Sequence, residues 1–220
     1  MYRSTRLAGV ALFAVLLAAG CSRNPEPEPV QPEPDPVVDT EDYDADAEAA
    51  RLEAEAARLC DRAMAALEAG NFDTARELLR QAQRDYPGTG CALSAAGTID
   101  RVDALEAITA RVHFEFDKSD ITDEAAATLQ RKADALRQHP GVTLTIEGHC
   151  DERGSLEYNL ALGMRRAESA MRYLVTLGLD ADRFRTVSFG EERPLVNMNN
   201  ESAWAQNRRD EFVMVNVGDL

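Results

Sequence analysis

Between Thr143 and Ser169 the chain reads TLTIEGHCDERGSLEYNLALGMRRAES, and most of its chemistry-bearing side chains crowd there. His149, Cys150 and Asp151 are all metal-ligand types. They are consecutive, though, and consecutive side chains in extended backbone point different ways. His113 and His139 stand without a spaced partner, so no metal site is expected. Catalysis fares no better. A glycosidase needs two carboxylates across a cleft, whereas Asp151 and Glu152 are neighbours in one turn. Cys150 lies beside His149, but adjacency in sequence does not supply the geometry of a nucleophile and its base. No serine or cysteine sits in a nucleophile motif. The expectation is a protein without catalysis and without a cofactor.

Recognition of a charged ligand fits the spacing better. A helix beginning after Ser155 places Asn159 and Arg166, seven apart, within about 20° of each other. Gly163 falls near the same stripe, which would leave a polar groove where a ligand approaches the backbone. Arg165 points elsewhere, toward solvent. A guanidinium fork suits a planar carboxylate, and Asp151 in the preceding turn suits an ammonium. Together they match a zwitterionic ligand. The same residues also fit a surface salt bridge between Asp151 and Arg166, worth only about 0–1 kcal/mol. Spacing alone leaves both open.

The elements that must position these residues begin at Ala110. ARVHFEF alternates as a strand does. Thr122 and Pro140 bracket a helix, GVTLTIEGH is a strand, and Ser155 and Gly178 bracket the next helix. That helix has an expected apolar face at Leu160, Met164, Ala167, Met171 and Leu174. FRTVSFG is a strand, and NESAWAQNRRDEFVMVNV gives a short helix and a last strand. The order βαβαβ(αβ) over residues 109–220 implies an α/β two-layer sandwich, with helices over one sheet.

The front half is organised differently. The chain of 220 residues carries a net charge of −15, with its acids concentrated before residue 109. That argues against nucleic acid as a partner. Residues 43–108 form an acidic helical region, broken at Gly70 and Asn71 into a hairpin. Ala63, Leu67, Phe72, Ala75, Leu79 and Pro87 follow one tetratricopeptide-like repeat. A single repeat cannot bury its apolar face alone, so it must pack on another copy, on the C-terminal domain or on a partner. Residues 88–98 read as a loop, followed by a short helix around Ile99–Ile108. Cys60 and Cys91 either pair or are separate buried thiols; in an exported chain a disulfide is expected.

Residues 21–42 are a Pro/Glu-rich linker, with six of the nine prolines between Pro25 and Pro36. Such a segment favours extended polyproline II, at about 3.1 Å per residue. Residues 1–20 have the layout of a secretory signal peptide: Arg3, Arg6, then an apolar run from Leu7 to Ala19. That run is too short to span a bilayer comfortably. LLAAGC resembles a bacterial lipobox, departing from it at Ala18, and implies a lipid on Cys21. Ser22 after it implies the outer membrane by the same resemblance.

Three ordered segments, VHFEFDKSDIT, IEGHCDERGSLEYNLALGMRRAES and VSFGEERP…NRRDEFV, resemble the OmpA-like C-terminal domain family. Within it they are most like the peptidoglycan-associated lipoproteins of the Tol–Pal system. The resemblance covers about residues 110–217. It implies non-covalent binding of peptidoglycan through the diaminopimelate of its stem peptide, whose side chain is a zwitterion. It places the ligand-binding acid on Asp151 and the arginine on Arg166, with Asn159, Phe116, Asp117 and Asp120 lining the pocket. Arg208 and Arg209 match its NRR element and are expected to be structural. Two features depart from it. Relatives usually carry Ala or Thr where this chain has Cys150, which is expected to fit partly buried. The acidic hairpin of residues 43–87 is also additional. The implied role is an outer-membrane lipoprotein facing the periplasm, tethering membrane to wall, with Tol-system proteins as partners. The alternative is an envelope scaffold whose hairpin recruits a protein partner, with wall binding serving to locate it.

Overall fold

The computed structural model describes residues 40–216, with side chains from residue 44. The expected signal peptide, Cys21 and the Pro/Glu linker through residue 39 lie outside the described residues, and residues 40–42, expected as the end of the linker, already belong to the first helix. Alanine-rich sequence forms helix α1 (Thr40–Glu68) and helix α2 (Phe72–Asp85), separated at Gly70, whose φ of 72° needs glycine's freedom. Ala56, Leu59 and Ala63 of α1 meet Ala75, Leu79 and Ala82 of α2. Their shared face does not wait for a partner. Helix α3 (Gly90–Thr109) covers it with Ala95 and Val102. Residues 88–98 are therefore largely helix, not the expected loop. Thr89 caps α3 by accepting from the Ala92 amide, and the Ser94 and Thr98 hydroxyls donate back to Gly90 and Ser94 carbonyls. Small polar residues that favour turns are absorbed into the helix by such bonds. Cys60 and Cys91 form a disulfide joining α1 to the first turn of α3. Arg76 of α2 ties to Asp103 and Glu106 of α3.

The α/β part follows the expected order: β1 (Val112–His113), α4 (Asp123–Gln138), β2 (Leu144–His149), α5 (Leu156–Thr176), β3 (Phe184–Gly190), α6 (Glu201–Asn207), β4 (Arg209–Met214). The sheet order is β1-β4-β2-β3. β4 runs antiparallel to β1 and β2, and β3 is parallel to β2 across the α5 crossover. Leu144, Ile146 and Phe212 point from the sheet into a core with Leu129, Leu136 and Leu174 of α4 and α5. Thr122, Ser155 and Asn200 cap the helices that follow them. The expected strand over residues 110–116 shortens to two residues. After Phe114, whose amide donates to Arg208, the chain leaves the sheet for a loop, with Asp117 at φ 58°. Aspartate tolerates that left-handed conformation better than most residues.

The expected boundary at 108/109 falls inside one compact unit that begins at Glu41. Lys132 of α4 is fully buried at that junction. Its ammonium donates to the carbonyls of Ala107, Ile108 and Ala110 and lies 3.7 Å from the Phe212 ring centroid. It thereby satisfies carbonyls that the end of α3 leaves without intrahelical partners. Burial pushes its pKa well below the usual lysine value.

Candidate ligand-binding site

Where β2 ends, the chain turns through Gly154 (φ 124°) into α5. The turn, the first three turns of α5 and the loop after β1 line a cavity of about 210 Å³. Phe116 and Asp117 line it from the loop, Cys150, Asp151 and Arg153 from the turn, and Asn159 and Arg166 from α5. Five of the six residues expected at the pocket are thus gathered. Asp120 is not: it is exposed and outside the lining.

Arg166 is fully buried. Its Nε donates to the Lys118 carbonyl (2.8 Å), Nη1 to His149 (2.7 Å) and Nη2 to Glu115 (3.2 Å). A second Nη1 bond reaches Cys150 Sγ at 3.4 Å. Of the five N–H groups of a guanidinium, one on Nη2 is left for a ligand. The fork that spacing suggested is therefore mostly committed to holding the loop and the strand end. Burial pulls its pKa below the usual arginine value.

Asp151 does not pair with Arg166. Its Oδ1 accepts from the Arg153 amide (3.1 Å) and Nε (3.0 Å), and its Oδ2 from Arg153 Nη2 (2.8 Å) and Arg208 Nη1 (3.1 Å). Burial would raise its pKa, but the bonds from Arg153 and Arg208 outweigh that and hold it below the usual carboxylate value. Arg208 also donates to the Phe114 carbonyl and Glu201, so it joins the strand end to the site. Arg209 is buried too, bonding Glu211 and the carbonyls of Asn207 and Arg193. Asn159 donates to the carbonyls of Asp151 and Arg153 and so fixes the turn.

Two residues that sequence reasoning missed complete the walls. Arg153 lies between the rings of Phe116 (3.9 Å) and Trp204 (4.2 Å). Tyr158 donates its hydroxyl to Asp117. Both sit inside the DERG and EYN segments, so their nearness in sequence to Asp151 and Asn159 was the available signal. Arg165 is exposed, as expected. Gly163 does not open a groove. A Cβ there would lie 2.3 Å from Ser188 Oγ and 2.8 Å from the Gly148 carbonyl oxygen. Gly163 and Gly148 instead let helix and sheet touch. That contact turns the buried face of α5 to Asn159, Leu162, Arg166, Ala167, Ala170 and Leu174, leaving Leu160, Met164 and Met171 half-buried at its margin. Cys150 is buried, and burial pushes its thiol up to about 11, far from a nucleophile's range.

The OmpA family model matches residues 113–208. The peptidoglycan-associated lipoprotein of Rhizobium meliloti is 42% identical over 134 residues, covering 61% of this chain and 76% of that protein. That of Agrobacterium fabrum is 44% identical over 108 residues, 49% of this chain and 61% of its own length. The crystal structure of the peptidoglycan-associated lipoprotein from Burkholderia pseudomallei is 43% identical, covering 47% of this chain and 88% of that one, at a TM-score of 0.46. A match of this identity across three quarters of a relative's length, on the segment that builds the cavity, places the chain in the OmpA family, among its peptidoglycan-associated lipoproteins.

Proposed function

We propose that the chain is a non-catalytic lipoprotein of the cell envelope that binds peptidoglycan in this cavity and tethers the outer membrane to the wall. The observation that carries the reading is a buried guanidinium and an ionised carboxylate on the walls of one small cavity. The ligand is the diaminopimelate side chain of a stem peptide. Its carboxylate takes the open N–H of Arg166. Its ammonium goes to Asp151, with Asp117 beside it. A carboxylate has about four lone-pair positions, and all those of Asp151 are engaged. The ammonium therefore displaces Arg153, whose side chain is 30% exposed against 8% for Arg208. Lipid on Cys21 holds the other end in the outer membrane, on the periplasmic side. The linker supplies reach, and Tol-system proteins are the partners. The scaffold alternative loses the hairpin's shared apolar face, which α3 fills, and rests on the outer faces that stay exposed.

The test is co-sedimentation of the purified chain with isolated peptidoglycan, with stem peptides carrying diaminopimelate or lysine as competitors. Asp151→Asn is expected to weaken binding by about 1.5–3 kcal/mol, the worth of a charged hydrogen bond. Phe116→Ala, at an exposed side chain, is expected to weaken it without lowering the melting temperature. The diaminopimelate peptide should compete and the lysine peptide, whose side chain has an ammonium and no carboxylate, should not. Wild-type sedimentation of both variants would overturn the reading.

A further inference from the structure

The face of the sheet away from α4 and α5 carries a second cluster of charged and ligating groups. Side chains alternate along a strand, so while Leu144 and Ile146 enter the core, Glu147 and His149 share the opposite face of β2. Glu211 of β4 is directly opposite Glu147. Two like charges in that position repel. His149 is 1% exposed, and neither ring nitrogen has a hydrogen-bond partner. Its Nε2 lies 3.9 Å from Glu147 Oε2. One ligand atom from each of Glu147, His149 and Glu211 lies within 4.8 Å of the others. Glu211 already pairs with Arg111 and Arg209, but Glu147 has no such arginine and the buried imidazole has no hydrogen-bond partner among the described residues, so a cation between the three would serve both.

We infer that Glu147, His149 and Glu211 form a divalent-cation site, suited to zinc. The site is independent of what the cavity binds. One imidazole and two carboxylates are ligands zinc accepts at about 2.0–2.2 Å, with a fourth position for water. Calcium and magnesium prefer oxygen alone. The carboxylates need to close by about 1 Å to reach those distances, a movement their side-chain rotations allow. Arg111 Nε (3.1 Å) and Arg209 Nε (2.8 Å) both donate to Oε1 of Glu211, and neither bond engages Oε2. Carboxylate ligands held from behind in this way are the usual arrangement of metal sites. Arg111, Arg193 and Arg209 also face His149 electrostatically and Glu211 opposes them in part. Entry is open, since the side chains of Glu147 and Glu211 are 18% and 27% exposed while the imidazole forms the floor. Sequence reasoning sought ligands among the neighbours His149, Cys150 and Asp151. Strand alternation and cross-strand register select different partners.

The experiment is calorimetric titration of the chelator-stripped full chain with zinc chloride, paired with thermal melts. One zinc per chain and a raised melting temperature are expected for wild type. Glu147→Gln and Glu211→Gln, which keep shape and lose charge, are expected to bind at least about tenfold more weakly. The ring-proton signals of His149 should shift on zinc addition in wild type. Absence of stoichiometric binding overturns the inference. So does unchanged affinity in Glu147→Gln, or an unmoved His149 signal. Equal affinity for calcium would overturn the assignment to zinc.

Discussion

In the helical unit formed by α1, α2 and α3 the charges stay at or near the surface, and Thr89 is the one buried polar residue among those described. In the α/β layers, Lys132, Asp151, Arg166, Arg208, Arg209 and Asp210 are all buried. The first half is held by small apolar side chains, a disulfide and surface ion pairs such as Arg76 with Asp103. The second has an apolar core of its own and bears buried charge besides. Desolvating an ion costs several kcal/mol, and nothing about stability alone requires it. Asp151, Arg166 and Arg208 meet at the cavity, whereas Lys132 sits against the end of α3 and Arg209 beside Glu211. Buried charge gathers in part at the cavity proposed to receive a ligand, and the helical unit shows none among the described residues.

Three changes bear on that contrast. The largest effect is expected from Arg166→Ala, which strands the carbonyls of Glu115, Lys118 and His149. It should cost about 3–5 kcal/mol, read as a fall in the urea midpoint, and destroy wall binding through the fold. A wild-type midpoint would show Arg166 to be free for the ligand instead. Replacing Cys60 and Cys91 by serine should cost about 2–4 kcal/mol while leaving binding per folded molecule unchanged. Loss of binding in that variant at full folding would erase the distinction between site and support.

The smallest effect concerns two aspartates of opposite sign. Asp151 is held below the usual value, so its contribution is complete above about pH 3.9, the unfolded value, and is lost as pH falls from there through the folded pKa. Asp210 is fully buried without a hydrogen-bond partner, and burial raises its pKa well above the usual value. Its effect reverses: stability is greatest at low pH and declines as pH rises from about 3.9 toward the folded value. Asp151→Asn should remove the acid-side rise in the denaturation midpoint and cost about 1–3 kcal/mol at neutral pH. Asp210→Asn should remove the decline and cost less, because an amide resembles the protonated acid. Carboxyl NMR titration of wild type would check both directions.

Much of the fold was legible because local signals were strong. Thr122 and Ser155 are N-caps as the sequence suggests, and FRTVSFG is β3 to the residue. The first half of α3 was not legible, since a segment punctuated by Gly88, Gly90 and Gly97 becomes helical with hydroxyl bonds from Ser94 and Thr98 and a disulfide partner 31 residues away. The site was legible in membership more than in wiring. Asp151, Asn159 and Arg166 do meet at one cavity, but periodicity gave no sign that Arg208, 57 residues on, would occupy Asp151. Nor could it show that Gly163 serves a backbone contact with Gly148, because that requires knowing which strand the helix crosses.

The place of β4 has a consequence for how the chain acquires its structure. It is the last described strand, yet it lies inside the sheet, between β1 and β2. The bond from the Phe114 amide to Arg208 joins residues 94 positions apart. Such distant pairings close late, because loop entropy is spent before they form. During synthesis β2, α5 and β3 can associate as a local parallel unit, but β1 has no strand to pair with until β4 emerges. The cavity, whose acid is held by the arginine just before β4, is therefore completed only once the segment through Arg208 is available. Binding competence arrives at the end of folding, and a partly made chain would carry the motif without the site.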